Sequence, residues 1–251
     1  MLRMSPGWTF IPEPELVPYQ GLQTLPVRSL LVLAPHPDDE VFGCGGLLAL
    51  AAAQGVDARI AVVSGGGQGG DVPVRKAESL AALEALGWVD AAQRLSFWGF
   101  EDREVVPDDS LVDRIHRAAA DQAAQWVLAP SPFEVHPDHR AVCLAAIAAA
   151  ATGCYRLGFY EVGQPLLPGL LVDITSVLAL KKAGLACFQS QLAWQAYDEQ
   201  ILALNRYRAY TLGPAVTHAE AYWFPDPPDG MDVVKVLAAL QGLLARRLGL
   251  D

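Results

Sequence analysis

Short apolar runs alternate with loops rich in Gly, Pro and Asp and with longer Ala- and Leu-rich stretches from residue 29 onward. The apolar runs are nearly continuous, as expected for parallel strands that are covered on both faces. Four such strands are predicted, at 30–34, 58–64, 95–98 and 126–129. A predicted helix follows each of them, at 41–54, 74–86, 110–124 and 140–151. Right-handed crossovers then predict an α/β fold, a doubly wound, mostly parallel sheet with helices on both faces.

The alternation weakens after residue 155, where the chain changes character. A further strand is predicted at 157–162, followed by a Pro/Gly loop at 164–169. Beyond this loop the pattern is mainly helical and ends in an amphipathic helix at 231–248. We expect a proline-rich arm over residues 1–28 and a single domain over residues 29–251, with a mainly helical C-terminal extension from about residue 163.

Composition and charge narrow the classes of function. A hydrophobic fraction of 52% and a mean hydropathy of +0.24 support a large buried core. Eighteen Lys and Arg against 28 Asp and Glu give a net charge of -10, which repels a phosphate backbone, so nucleic acid is not an expected partner. No apolar run is long enough to span a membrane, and no secretory signal is expected. The four cysteines form no CxxC pair, so we expect a reducing, cytoplasmic location.

Two of the five histidines begin the same tripeptide, His-Pro-Asp, at 36–38 and again at 136–138. The first copy directly follows the first predicted strand, and the second copy directly follows the fourth. In a doubly wound sheet these two strands are commonly neighbours, and ligands bind at their carboxyl ends. The two motifs are therefore expected to face one crevice.

The residue types in these motifs suit a metal ion. Imidazole and carboxylate groups favour zinc or a similar divalent ion, and a catalytic site uses three protein ligands and keeps one position open. His36, Asp39 and His139 supply such a set. The ligand types do not decide between Zn²⁺ and Fe²⁺.

The remaining polar residues of the motifs have the chemistry of hydrolysis. Asp38 stands beside the expected metal as a carboxylate that can take a proton from water. His136 is left to stabilise a developing oxyanion or to protonate a leaving group, with Asp138 orienting its ring. The alternative is that Pro and Asp only cap helices after strands, but capping does not require three histidines.

The segments 34–40, Ala-Pro-His-Pro-Asp-Asp-Glu, and 136–139, His-Pro-Asp-His, resemble the two signature motifs of the PIG-L / LmbE-like deacetylases. The resemblance runs from about residue 29 to about residue 224. It implies a Rossmann-like α/β fold and zinc-dependent removal of N-acetyl groups, typically from N-acetylglucosamine in a glycoconjugate or precursor. It also implies the following roles: zinc ligands His36, Asp39 and His139, general base Asp38, and a charged imidazole His136 paired with Asp138.

Two shorter segments also resemble the family. Arg75 and Glu78 resemble its RxxE motif, which makes Arg75 a candidate for sugar recognition, although pairing between these two side chains is the equal alternative. The segment 189–191, Gln-Ser-Gln, resembles the end of its Lys-rich helix. Glu134 stands where some members carry a tyrosine, and Gln68 where an acidic residue is frequent, so substrate preference is open at both positions.

Two more residues are candidates for substrate binding. Asp102 follows the third predicted strand, where it either lines the crevice or lies in an ordinary surface loop. His218 lies in the C-terminal segment and either reaches the site or caps and pairs locally.

The expected function is a metal-dependent N-deacetylase that acts on a small-molecule or glycoconjugate substrate. One alternative is an amidase of the same family with another amide, such as a thiol–sugar conjugate or a non-sugar acetamide. Another is a sugar- or nucleotide-binding module with a vestigial site, because the glycines at 65–70 match GxGxxG after the second strand. The apolar terminal helix and the aromatic C-terminal third are compatible with a homo-oligomer.

Overall fold

The computed structural model describes residues 12–225, so the helix predicted at 231–248 and the first part of the predicted arm lie outside the described residues. The described strands are β1 Gly21–Leu22, β2 Ser29–Ala34, β3 Asp57–Ser64, β4 Leu95–Phe100, β5 Trp126–Pro130, β6 Arg156–Tyr160, β7 Leu170–Asp173 and β8 Ala219–Trp223. The described helices are α1 Glu13–Leu16, α2 Asp39–Gln54, α3 Val72–Ala85, α4 Ala91–Arg94, α5 Asp109–Asp121, α6 Pro137–Ala150, α7 Leu178–Leu185, α8 Gln189–Leu192 and α9 Tyr197–Arg208.

The strands form one sheet in the order β1-β7-β8-β6-β5-β2-β3-β4. Every neighbouring pair is parallel except the two pairs that β8 makes, with β6 and with β7. The doubly wound, mostly parallel sheet predicted from the sequence is confirmed. Strand β2 lies between β3 and β5, with Leu30 opposite Trp126. Since the strand order reverses between β2 and β5, their carboxyl ends flank the topological switch point, where α/β proteins bind ligands.

The two faces of the sheet explain why its strands are apolar throughout. In β2, Leu30 and Val32 contribute to one buried cluster, while Leu31 and Leu33 contribute to the cluster on the opposite face. Helices α2, α3 and α7 pack together, as α5 and α6 do. In the central strands β2 and β5, nearly every residue therefore leaves water whichever way it points, which removes the need for a polar face.

The C-terminal extension contains the predicted helices, as α7, α8 and α9, but it also adds strands β7 and β8 to the sheet. These strands have only four and five residues, too few to show an alternating pattern. The arm contributes as well, since β1 pairs with β7. Among the described residues, no helix combines the length and apolar character that crossing a membrane requires.

Helix α2, which carries the first His-Pro-Asp motif at its start, is packed unusually closely on the sheet. A side chain at Gly43 would lie 2.3 Å from the ring of Tyr160, and one at Gly46 would lie 2.4 Å from Ile174. Glycine is needed at both positions because these neighbours occupy the space where a Cβ would stand.

A buried ion pair fixes the same helix. Lys181 on α7 donates to Glu220 on β8 at 2.6 Å, and both side chains are at most 1% exposed. The Glu220 carboxylate also accepts from the backbone N–H groups of Gly46 and Leu47, at 2.6 and 2.8 Å, and from the hydroxyl of Tyr222. The pair therefore ties α7 and β8 to the middle of α2.

Removing the cation of this pair tests its contribution to the fold. We expect Lys181→Met to lower the free energy of unfolding by about 3–5 kcal/mol, because Glu220 keeps its charge in the interior without a counter-ion. Urea denaturation measures the change. The double variant with Glu220→Gln is the control and regains part of the loss, since it holds no buried charge. A loss below about 1 kcal/mol in the single variant would contradict this role.

Candidate active site

A pocket of about 550 Å³ opens at the carboxyl ends of β2 and β5, and both His-Pro-Asp motifs contribute to its lining. The prediction that the two motifs face one crevice is confirmed. The rings of His36 and His136 are 4.7 Å apart, edge to face, although 100 residues separate them in the sequence.

Asp38 occupies a strained backbone conformation at this turn, with φ 135°. Its N–H donates to the Glu40 carboxylate at 3.0 Å, and its carbonyl accepts from Val41 and Phe42 at the start of α2. A residue of this kind outside the allowed regions costs about 1–3 kcal/mol and persists only where its surroundings hold it. The turn therefore fixes the orientation of the Asp38 side chain.

The Asp38 carboxylate is paired with the buried guanidinium of Arg75, at 2.9 Å. Arg75 also donates to the carbonyls of Gly66 and Pro37, at 2.7 and 2.9 Å. Burial raises the pKa of Asp38 to about 8, and the charge of Asp39 adds to the shift while Arg75 opposes it.

The glycine-rich loop after β3 contacts the Arg75 guanidinium closely. Gly66 has φ 67°, and a Cβ there would lie 2.1 Å from the Arg75 guanidinium. The space that a dinucleotide-binding loop gives to a phosphate is thus taken by an arginine of the same chain. This arrangement argues against the nucleotide-binding interpretation of the GxGxxG match.

The Asp39 carboxylate joins the two motifs. Its Oδ2 lies 3.3 Å from His36 Nδ1 and 3.2 Å from His139 Nε2. A tetrahedral metal with ligands at about 2.0–2.1 Å separates its ligand atoms by about 3.3 Å. Burial would raise the pKa of Asp39, but the two imidazoles outweigh it and hold that pKa well below its usual range. The two distances from Asp39 and the ligand types therefore match those of a metal site, and these three side chains stay the predicted ligand set.

Each imidazole of this set faces a second carboxylate through its other nitrogen. His36 Nε2 lies 2.9 Å from Asp138 Oδ2 and 3.4 Å from Asp102 Oδ1. His139 Nδ1 lies 3.6 Å from Glu134 Oε2, and this buried nitrogen has no hydrogen-bond partner within residues 12–225. Metal-binding histidines almost always have a carboxylate, carbonyl or water at this position, which sets the tautomer and the orientation of the ring.

Glu134 is buried, and its carboxylate collects several backbone donors. It accepts from the N–H groups of Val162, Gly163 and Gln164 at 2.9–3.3 Å. The loop after β6, which lines the pocket, is therefore tied to the side chain that faces His139. Glu134 lines the pocket, but its oxygens are already engaged by the protein.

His136 differs from the pairing expected from the sequence. The Asp138 carboxylate contacts His36 and accepts the N–H of Arg103 at 2.8 Å, whereas only the backbone N–H of Asp138 reaches His136, at 3.2 Å to Nδ1. Asp138 lies in the first turn of α6, and its carboxylate also accepts the N–H of Val105 in the loop between β4 and α5.

The charge expected on His136 is not favoured either. Burial, followed by the charges of His36 and His139, lowers its pKa. Because Nδ1 accepts a hydrogen bond, the neutral ring carries its proton on Nε2. In that tautomer His136 can donate from Nε2 within the pocket.

Other groupings of donors exist among the described residues. The ring nitrogens of His36, His136 and His139 approach within 4.8 Å of one another, and so do ligand atoms of His36, His136, Asp102 and Asp138. The second grouping would recruit Asp138 and Asp102, which contact His36 Nε2 at 2.9 and 3.4 Å. The predicted set with Asp39 would instead use His36 Nδ1 and His139 Nε2, which keeps His36 Nε2 on Asp138 and His139 Nδ1 beside Glu134.

The substrate-binding candidates separate in the structure. Arg75, Asp102 and Glu134 line the pocket, but His218 is absent from its lining. His218 instead contacts Thr217 through Nδ1 at 3.1 Å, so the local pairing considered for it is the one observed. Asp102 accepts the backbone N–H of Gln68 at 2.9 Å, and its contact with His36 lowers its pKa to about 2.

The RxxE segment does not pair internally. Arg75 turns to Asp38, whereas Glu78 accepts from both the N–H and the hydroxyl of Ser190, at 2.7 and 2.6 Å. Gln191 donates to the carbonyl of Gly69. The segment with Arg75 and Glu78 and the segment 189–191 thus connect α3 and the glycine-rich loop to α8 through hydrogen bonds. A sugar-binding role for Arg75 stays a prediction, and in the described part of the chain its buried Nε has no hydrogen-bond partner.

One wall of the pocket was not predicted from the sequence. Phe42 on α2 and three residues of α9, namely Tyr197, Ile201 and Leu204, line it with apolar groups. The spacing of the α9 residues, i, i+4 and i+7, was visible in the sequence, but this spacing is more often a sign of core packing than of ligand contact.

Residues 31–150 match the PIG-L family, described as GlcNAc-PI de-N-acetylase. A 2'-N-acetylparomamine deacetylase of Streptomyces fradiae is 26% identical over an alignment of 280 positions, which covers 89% of this chain and 98% of that protein. A probable N-acetyl-alpha-D-glucosaminyl L-malate deacetylase 2 of Bacillus cereus is 32% identical over 139 residues, which cover 49% of this chain and 61% of that protein.

A similar structure has also been solved. A conserved protein of Thermus thermophilus is 29% identical, with a TM-score of 0.70, and the alignment covers 79% of this chain and 95% of that chain. The similarity therefore extends well beyond the 120-residue region that contains the two motifs.

The backbone N–H groups around Glu134 allow the contribution of its carboxylate to stability to be tested. We expect Glu134→Ala to lower the free energy of unfolding by about 3 kcal/mol, because the N–H groups of the loop after β6 lose an ionised acceptor. Glu134→Gln keeps one acceptor oxygen, so its loss should be clearly smaller. Urea denaturation of both variants decides the point, and a loss below about 0.5 kcal/mol in the alanine variant would show that the loop does not depend on this carboxylate.

Proposed function

Because residues 31–150 match the PIG-L family and the two motifs resemble those of the PIG-L / LmbE-like deacetylases, we propose that the chain is a metal-dependent hydrolase that removes the acetyl group from an N-acetylglucosamine-type sugar or glycoconjugate precursor. The observation that carries the proposal is the position of Asp39 between His36 and His139, with Asp38 beside it in the same pocket. The two curated relatives are named as deacetylases of N-acetylparomamine and of an N-acetylglucosaminyl malate.

His36, Asp39 and His139 are proposed to hold the ion, through Nδ1, a carboxylate oxygen and Nε2, respectively. When bound, a zinc ion or a similar divalent ion polarises the acetamide carbonyl and makes a bound water easier to deprotonate. Asp138 and Glu134 then keep the two imidazoles in the tautomers that the ion needs. Zn²⁺ is the proposed metal, and Fe²⁺ is the alternative that metal analysis excludes or establishes.

Asp38 is proposed as the general base. The strained turn and the Arg75 pair hold its carboxylate at the pocket wall, where it takes a proton from the attacking water and later returns one to the departing amine. The fixed geometry matters because general-base catalysis requires the carboxylate within hydrogen-bonding distance of that water. Arg75 is thus a positioning residue for the base.

His136 is proposed as the hydrogen-bond donor to the carbonyl oxygen that becomes negative during attack. Its Nε2–H has no hydrogen-bond partner among the described residues, so it can donate without first breaking a bond. A neutral donor that is already oriented stabilises developing charge without reorganisation. Proton delivery to the amine by His136, the other role expected from the sequence, would require the charged ring, so Asp38 is the proposed proton donor.

The proposed partner is one small sugar-type substrate, and the proposed location is the cytoplasm. The amidase alternative uses the same residues and differs only in the group that carries the amide. Release of free amine from a panel that includes N-acetylglucosamine, its conjugates and non-sugar acetamides separates these possibilities. A preference for the non-sugar amides would favour the alternative.

Loss of the base is the first test of the mechanism. We expect Asp38→Asn to lower kcat by at least about 10³-fold, because an amide cannot accept the proton of the attacking water. Metal content, measured by plasma mass spectrometry, should remain near that of the wild type. Turnover within about tenfold of the wild type would remove Asp38 from this role.

Loss of a ligand is the second test. We expect His139→Ala to lose both amine release and most of the bound metal, since two protein ligands remain. Chelation of the wild type should abolish activity, and addition of Zn²⁺ or Fe²⁺ in separate reactions should restore it with the native metal. Full activity in protein shown to hold no metal would overturn the proposed function.

A further inference from the structure

Helix α9 presents one continuous face to the pocket. Its lining residues are Tyr197, Gln200, Ile201 and Leu204, which follow each other at i, i+3, i+4 and i+7. This is the spacing of a single stripe along an α-helix. At about 1.5 Å per residue the stripe is about 10 Å long, which exceeds the width of one pyranose ring.

The stripe is accessible to a ligand and is not sealed in the core. Tyr197 and Leu204 are half-buried and Gln200 is exposed, while Ile201 is buried behind them. The Tyr197 ring packs 5.8 Å from the ring of Phe42, whose helix begins at Asp39. The apolar wall is therefore continuous with the polar end of the pocket, which is the part lined by residues of the two His-Pro-Asp motifs.

The chemistry of this wall contrasts with that of the polar end. The motif residues give carboxylates and imidazoles, whereas none of the charged residues of α9 lines the pocket. Arg208, for example, forms an ion pair with Glu161, with 2.6 Å between Nη2 and Oε2. Val162 and Pro165, from the loop after β6, add apolar surface to the same pocket. A charged group placed against this wall would lose water without gaining a partner.

We propose that the α9 stripe is a subsite for an uncharged, apolar group attached to the N-acetylated sugar, such as an aromatic or aliphatic aglycone. This inference rests on the proposed function for the position of the sugar, whose acetamide lies at the polar end. The sugar ring occupies the metal end of the pocket, and the attached group lies along Tyr197, Ile201 and Leu204. Contact with this wall contributes chiefly to binding, because it is remote from the reacting atoms.

The test compares N-acetylglucosamine with its phenyl glycosides, in both anomers, as substrates of the full-length metal-loaded protein. We expect kcat/KM for the better phenyl glycoside to exceed that for the free sugar at least about tenfold, mainly through a lower KM. In Leu204→Asn this ratio should fall about tenfold, since an amide replaces an apolar contact. Tyr207→Asn, on the exposed side of the same helix, is the matched control and should keep the wild-type ratio.

Binding of phenyl glucosaminide against glucosamine, measured by calorimetry, separates failure of the subsite from failure of the proposed function. If no amine is released from any substrate but the phenyl compound binds more tightly and Leu204→Asn abolishes the difference, the subsite stands and the hydrolase does not. Equal binding and equal kcat/KM of phenyl and free sugars would overturn the subsite. A ratio unchanged in Leu204→Asn would overturn it as well.

Discussion

One carboxylate, that of Asp39, connects the two halves of the candidate site. It lies at 3.3 Å from His36 and 3.2 Å from His139, so it joins the turn after β2 to the start of α6. The parallel pairing of β2 with β5 makes this contact possible, because it brings both carboxyl ends to one edge of the sheet. The pocket, the base and the supporting carboxylates are arranged around this contact.

The close packing of α2 keeps that carboxylate in place. The helix is pressed on Tyr160 and Ile174 through glycines and held in its middle by the Lys181–Glu220 pair. The strained turn at Asp38 lies directly before the first residue of the same helix. Buried charges are costly unless they are paired and hydrogen-bonded. The structure meets this requirement with Arg75 for Asp38, and with backbone donors for Asp138 and Glu134.

Much of the fold was predictable from the sequence, because fully buried parallel strands read as apolar runs and the repeated His-Pro-Asp motif marks their ends. The contacts within the site were less predictable. That Asp138 faces His36 and not His136 depends on the direction in which α6 leaves its first turn, which spacing does not encode. Arg75 was likewise ambiguous, since its partner is 37 residues away in sequence. The α9 wall was hidden because ligand contact and core packing use the same helical spacing.

The most direct test of the account is the position of the metal in a crystal of the zinc-loaded protein, located by anomalous scattering at the zinc edge. We expect one peak at about 2.0–2.1 Å from His36 Nδ1, an Asp39 oxygen and His139 Nε2. Asp38 and His136 should stand outside the ligand set. A peak that takes His136 as a ligand in place of Asp39, or no peak in the pocket, would contradict it.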